Sequence, residues 1–333
     1  MNSVDPDELF QSIQKKYFEE YMAPYHNDIM GSINRTIENS VHYDGFAKNP
    51  LAHMDNYINK NIVNPLLESM SEIEIDKCKD IPVGTLCTLD PNAMAISLIP
   101  EGTVCAVVVD FMFIQFLNWV LPPILWSLCI NEDDSTTQAY NSMQIAYAGK
   151  ACTGNITYFK FLEKLKGKIS YDSYPLNHLV TSIKEGILTF VVAHEFAHII
   201  RGHLSKDKKK INNYCIDQFV KNWDQEYESD KVGLKLCKKR LMKIETDIFG
   251  EETFENVPTI SPALTMSLIY FLSKIGKTET GSFSHPPPIE RKSAIIDQLS
   301  NEGIRPQPAM MNTFFSNYLE HTYGMMGKLN GNH

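Results

Sequence analysis

Val191-Val192-Ala193-His194-Glu195-Phe196-Ala197-His198-Ile199-Ile200 is the stretch on which the reading of this 333-residue chain turns. Histidines four apart lie one helical turn from each other on the same face. Two imidazole nitrogens placed this way can grip one Zn2+. The glutamate after the first histidine can then act as general base toward a water on that metal. The ligand geometry requires a continuous helix, and the sequence supplies one. Ile183, Ile187, Leu188, Val191, Val192, Phe196, Ile199 and Ile200 almost encircle the segment 179–204, and a helix apolar all round is a buried one. Such surroundings exclude water and strengthen the field of a metal. The chemistry predicted from these residues is hydrolysis of a peptide bond.

A catalytic zinc takes three protein ligands and leaves one position open. His203 is five residues beyond His198; on a helix running to 204 it projects about 140° away and cannot easily share the metal. An extended pattern with a glycine and a third histidine is absent, because Arg201 and Leu204 stand at those positions. The remaining source is the acidic run Trp223-Asp224-Gln225-Glu226-Tyr227-Glu228-Ser229-Asp230. Glu226 and Asp230 share one face of a second helix predicted over 214–240. Ser229 and Gly233 are small and flank that face, so this helix can approach the first closely. Glu226 is assigned as the third ligand. Asp230 is assigned as acceptor from the other ring nitrogen of a ligand histidine, which fixes the tautomer. Glu228 points elsewhere on the helix, into solvent.

Working outward, residues 83–109 read as strands. Ala93 to Ile99 and Val104 to Val109 form a hairpin joined at Pro100-Glu101-Gly102. The segment 104–130 is the most apolar of the chain and long enough to span a bilayer. Asp110, Gln115, Asn118 and Pro122-Pro123 interrupt it. A buried strand (104–109) running into a buried helix (110–121) accounts for those positions better than a membrane span. Further helices are predicted at Gln138 to Ala151, Pro262 to Ile275, Pro286 to Leu299 and Met310 to Tyr323. Residues 5–75 read as helical and interrupted, with breaks at Pro24 and at Gly45 to Pro50. The domain expectation is an N-terminal helical extension over 1–80, a zinc peptidase domain over 81–305, and a C-terminal helix and tail over 306–333.

A net charge of −9 and a pI near 5.6 argue against a nucleic-acid partner, whose footprint would be basic. The one dense basic run, Lys206 to Lys210, reads as a solvated loop after a helix. Seven cysteines, an odd count without Cys-x-x-Cys spacing, predict a reducing compartment and no disulfide framework. The first residues carry no basic or apolar leader, which predicts a cytoplasmic protein.

Three blocks, taken together, carry a resemblance. They are His194-Glu195-x-x-His198, Glu226-x-x-Ser229-Asp230, and Ser284-His285-Pro286-Pro287 with Glu290-Arg291. In that order they resemble the zinc endopeptidases that include the HtpX proteins and the CAAX prenyl endopeptidases. There the last ligand sits in Glu-x-x-Ala-Asp; here serine replaces alanine. Members of that group carry clear membrane helices, whereas this chain has at most one candidate span. Its compact spacing is also similar to the soluble phage-exclusion Lit-type peptidases, and a soluble relative of this kind is the favoured reading. The resemblance implies a zincin-like α+β fold, mostly helical, with a small antiparallel sheet packed against the active-site helix and surrounding helices. His285, in a loop before a proline-started helix, can stabilise an oxyanion or serve simply as a loop histidine. Arg291 can pair with Asp230 or lie on the surface. The expected partner is a protein or peptide substrate. Two alternatives remain open at this point: a membrane-associated zinc endopeptidase acting on membrane proteins, and a non-catalytic zinc-binding interaction protein.

Overall fold

The computed structural model describes residues 5–23, 50–88, 92–99, 104–129, 135–165, 168, 171, 173–204, 208–210, 217–219, 222–244, 257–277, 285–301 and 306–330. The expected breaks at Pro24 and at 45–49, the turn at Pro100-Glu101-Gly102 and residue Ser284 lie outside them. Among the described residues the chain is α+β and mostly helical. α1 (Pro6–Tyr17) runs into a π-helical turn, Phe18–Met22. α2 (Pro50–Ile58) passes through a second π-helical stretch, Asn59–Val63, into the short α3 (Asn64–Leu67) and then α4 (Glu72–Cys78). Strands β1 (Val83–Leu86), β2 (Ala93–Ser97) and β3 (Cys105–Asp110) follow, then α5 (Phe111–Cys129), α6 (Ser135–Cys152), α7 (Phe159–Leu165) and α8 (Tyr174–Arg201). Two three-residue strands, β4 (Lys208–Lys210) and β5 (Asp217–Phe219), precede α9 (Trp223–Leu241). The chain closes with α10 (Ser261–Gly276), α11 (Pro288–Asn301) and α12 (Pro306–Asn330).

The sheet order is β1-β3-β2-β5-β4. β2 and β3 pair antiparallel, with Ala95 opposite Val107, as the hairpin reading expects. The sheet is nevertheless mixed rather than antiparallel. Three successive strands alternate in direction, and β1 docks on β3 instead of β2, so β1 and β3 run parallel with Val83 opposite Val107. Side chains alternate between two covered faces. Ala106, Val108, Met94 and Ile96 pack under Phe10 and Tyr17 of α1. Val107, Val109 and Ala93 join the main helical core, and Ala95 and Cys105 meet Ile199 of α8. Burial on both faces is why these strands read as unbroken apolar runs.

α5 outruns its expected end at 121 and continues to Cys129 through Pro122 and Pro123. Pro123 has no N–H, so the Trp119 carbonyl loses its helical donor. The Gln144 side-chain amide of α6 replaces it, at 2.8 Å. Asp110, which interrupts the apolar run in sequence, caps this helix, accepting from the N–H groups of Met112 and Phe113. α5 is long and apolar enough to cross a membrane by length and composition, and 78 % of its apolar window is buried against the rest of the chain.

α8 starts on Ser173, whose hydroxyl accepts from the Leu176 N–H, and carries proline in its first turn. It ends at Arg201, short of the expected 204. Gly202 takes the left-handed conformation at φ 72°, and the His203 N–H donates back to the His198 carbonyl at 2.9 Å. The second helix begins at Trp223 instead of 214, because Asn222 forms a capping box with Gln225. Residues 217–219, expected inside that helix, pair instead as β5 with β2 and β4. Lys208 to Lys210, expected in a loop, form β4.

Candidate metal centre

α8 and α9 approach backbone to backbone. A Cβ added at Gly233 would lie 3.0 Å from both the Cα and the N of His194. Even a methyl group there would be an unusually tight contact with main-chain atoms, and Ser229, one turn away, is fully buried. The small residues thus let α9 bring Glu226 and Asp230 down onto the two histidines of α8.

The donors converge tightly. The Nε2 atoms of His194 and His198 are 3.1 Å apart. Glu226 Oε1 lies 3.4 Å from His198 Nε2, and Glu226 Oε2 3.5 Å from His194 Nε2. Ligands about 2.0–2.1 Å from a tetrahedral zinc stand roughly 3.3 Å from one another, so these spacings fit a triangle of metal ligands. His194, Glu195 and His198 also offer atoms mutually within 4.8 Å. Of the two glutamates, Glu226 is the better ligand by position. Glu195 Oε1 is 3.9 Å from His194 Nε2, and its other oxygen accepts the Ala95 N–H of β2 at 2.8 Å. Glu226 Oε1 is buried and has no hydrogen-bond donor among the described residues. A buried carboxylate oxygen facing ring nitrogens with no donor is costly unless a cation completes it.

The charges point the same way. Three buried carboxylates, Glu195, Glu226 and Asp230, face one guanidinium, Arg291. Arg291 Nε and Nη2 donate to Asp230 at 2.7 and 2.6 Å, and Nη1 lies 3.2 Å from Glu226 Oε2. Asp230 Oδ1 lies 2.9 Å from His194 Nδ1. Burial disfavours charge on the His194 imidazole, but the Asp230 and Glu226 carboxylates outweigh it and hold its pKa up at about 9. Burial likewise opposes ionisation of Glu226 and Asp230. Arg291 and the neighbouring imidazoles override it, holding Glu226 well below the usual carboxylate range and Asp230 below its own. A divalent ion held among these groups would, together with Arg291, balance the three carboxylates.

A cleft opens on this cluster, lined on its polar side by His194, Glu195, Glu226, His285 and Arg291, and on its apolar side by Phe190, Val191, Met266 and Ile269. Asn92 and Ala93, at the start of β2, form one lip. β3 lies between β1 and β2, so residues 105–110 offer no free edge to a substrate. β2 is the strand beside the cleft, and among the described residues β5 pairs with Ile96 and Ser97 of it.

The structure thus gathers all seven residues singled out from the sequence. His194, His198 and Glu226 form the donor triangle, Glu195 stands beside it, and Asp230 backs His194. Arg291 pairs with Asp230 rather than lying on the surface. His285, partly exposed at the cleft, has its Nε2 3.8 Å from Glu226 Oε1. The contact of His203 with the back of His198, and of Glu228 with His203, was not expected from the sequence, which set His203 aside and placed Glu228 in solvent. His203 does not touch the donor triangle, but its Nδ1 is 3.1 Å from His198 Nδ1 and its Nε2 3.0 Å from Glu228 Oε2. Glu228 is half-exposed yet tied inward. The missed signal was Gly202, a helix terminator directly before His203. No protein-family model, curated protein or solved structure matches the chain.

Proposed function

We propose that this chain is a zinc-dependent endopeptidase of zincin-like architecture. His194, His198 and Glu226 would hold the metal and Glu195 would act as general base. The observation carrying this reading is the donor triangle, with its unsatisfied Glu226 oxygen, open to a cleft where a second glutamate is fixed beside it. Zinc, when bound, supplies Lewis acidity that brings the pKa of a water toward neutrality and polarises the peptide carbonyl. The remaining work falls to the chain. Glu195, anchored by the Ala95 N–H, takes the proton of the attacking water and returns it to the leaving amine nitrogen. His285, at the open side, donates toward the carbonyl oxygen as charge develops there. Asp230 and Arg291 hold His194 and Glu226 in place. An extended substrate aligns along the start of β2, where Asn92 and Ala93 line the cleft. The order of the three motif blocks supports kinship with the HtpX, CAAX prenyl and Lit-type endopeptidases, and we include it in the proposal together with a cytoplasmic location.

The test is metal analysis of the purified chain together with cleavage of an unfolded protein. One zinc per chain and measurable cleavage are expected. Glu195→Gln should keep the zinc and slow cleavage by about 10²–10⁴-fold. A chain that takes up no zinc, or a Glu195→Gln variant as active as the parent, overturns the proposal.

A further inference from the structure

The His203–Glu228 pair lies on the side of His198 away from the donor triangle. We infer that it is a positioning device, a directed hydrogen-bond chain in which Glu228, through His203, dictates which nitrogen of His198 is bare. The inference rests on the reading of the site as a metal centre, because its purpose is to present a ligand.

The direction of the chain follows from what each group can do. A carboxylate only accepts, so Glu228 Oε2, 3.0 Å from His203 Nε2, requires a proton on that nitrogen. In a neutral imidazole the other nitrogen then accepts, so His203 Nδ1 carries a lone pair. The ring atom facing it at 3.1 Å is His198 Nδ1, which must therefore be the donor. With its proton on Nδ1, His198 leaves Nε2 bare, and Nε2 is the atom aimed at His194 Nε2 and Glu226. The Ser229 hydroxyl, 3.3 Å from His203 Nδ1, can rotate to donate or accept and so does not set the direction. Arg201 Nε, 3.2 Å from Glu228 Oε1, steadies the half-exposed carboxylate at the outer end.

Backbone geometry makes the chain possible. Had α8 continued, His203 would have projected away from His198. The left-handed turn at Gly202 folds the chain back, and the His203 N–H bonds to the carbonyl of His198 itself. The ring of His203 is 7 % exposed and is wedged between the last turn of α8 and Ser229 of α9. The two metal-binding histidines are thus oriented by different means. Asp230 backs His194 directly, whereas His198 is backed by a carboxylate one imidazole further out. Outer partners of metal-binding histidines commonly matter about 10–100-fold in metal affinity.

The experiment uses the full chain and has two readouts. In the first, zinc affinity is measured by competition with a chromophoric chelator for the parent, His203→Phe, Glu228→Ala and Glu228→Gln. Loss of about 10–100-fold is expected for His203→Phe and about tenfold for Glu228→Ala. Glu228→Gln, which still offers an acceptor oxygen, should recover most of that loss. In the second, long-range 15N–1H NMR of the zinc-free chain reports tautomers. His198 should appear protonated on Nδ1 and His203 on Nε2 in the parent, with His203 mixed in Glu228→Ala. Should His203→Phe fail to fold, Glu228→Ala alters a half-exposed side chain and still decides. Unchanged zinc affinity in both His203→Phe and Glu228→Ala, or a parent His198 protonated on Nε2, overturns the inference while leaving the peptidase reading intact. A parent that binds no zinc defeats that reading instead, and the tautomer measurement then decides the inference alone.

Discussion

Asp110, at the head of α5, and Glu226, on α9, are both sealed from water, at 0 % and 1 % exposure. Their surroundings differ in kind. Asp110 Oδ2 accepts from the Thr88 N–H and hydroxyl at 2.6 and 2.8 Å, and Oδ1 from the Met112 and Phe113 N–H groups at 2.8 and 3.3 Å. Both of its oxygens are filled by neutral donors that are themselves fixed by the fold. Glu226 meets cationic groups on one side, and its Oε1 has no donor among the described residues. A buried carboxylate saturated by amides and hydroxyls is part of the scaffold. One left short of donors, opposite two converging ring nitrogens, stands where a ligand to a cation would be expected.

Substitutions can break that contrast. Glu226→Ala should remove the metal altogether, taking zinc from one per chain to none by elemental analysis while the metal-free fold survives. Retained stoichiometric zinc would return Glu226 to the scaffold class. Asp110→Ala should do the reverse. Losing the cap and stranding buried donors is expected to cost about 2–5 kcal/mol in denaturant unfolding of the metal-free chain, with zinc affinity close to that of the parent in whatever fraction stays folded. Gly233→Ala sharpens the comparison by acting on spacing alone. The added methyl would lie 3.0 Å from main-chain atoms of His194 and push the two helices apart, so a loss of about 1–3 kcal/mol in stability is expected, accompanied by weaker zinc binding as Glu226 is lifted away. An undisturbed affinity would show that the donor distances do not depend on this contact. Asp230→Asn should weaken zinc about 10–100-fold, read by chelator competition.

The pair of helices that makes the centre was legible because two local signals coincided. The apolar positions of α8 recur with helical period around the motif, and small residues mark the face of α9 that must come close. Asp230 and Arg291 were legible as candidates but not as partners, since Arg291 is 61 positions from Asp230 in the chain and no local pattern links them. The hairpin β2–β3 was written in adjacent apolar runs. β5 was not, because Asp217 to Phe219 become a strand only by meeting β2 from far along the chain. For the same reason the parallel docking of β1 on β3 could not be read. The end of α8 was misplaced because His203 and Leu204 continue a plausible helical pattern, and the turn at Gly202 overrides it through backbone conformation alone.

The prolines of α5 have a consequence for where that helix can live. Its Trp119 carbonyl takes a proton donor from a glutamine on α6, not from its own spiral. Hydrocarbon tails could offer no replacement, so sliding α5 out among lipids would strand a polar oxygen at a cost of about 1–3 kcal/mol before any other contact was lost. Gln144 therefore works as a splint from next door: it keeps a greasy rod unbroken and, in doing so, tethers it to its neighbour.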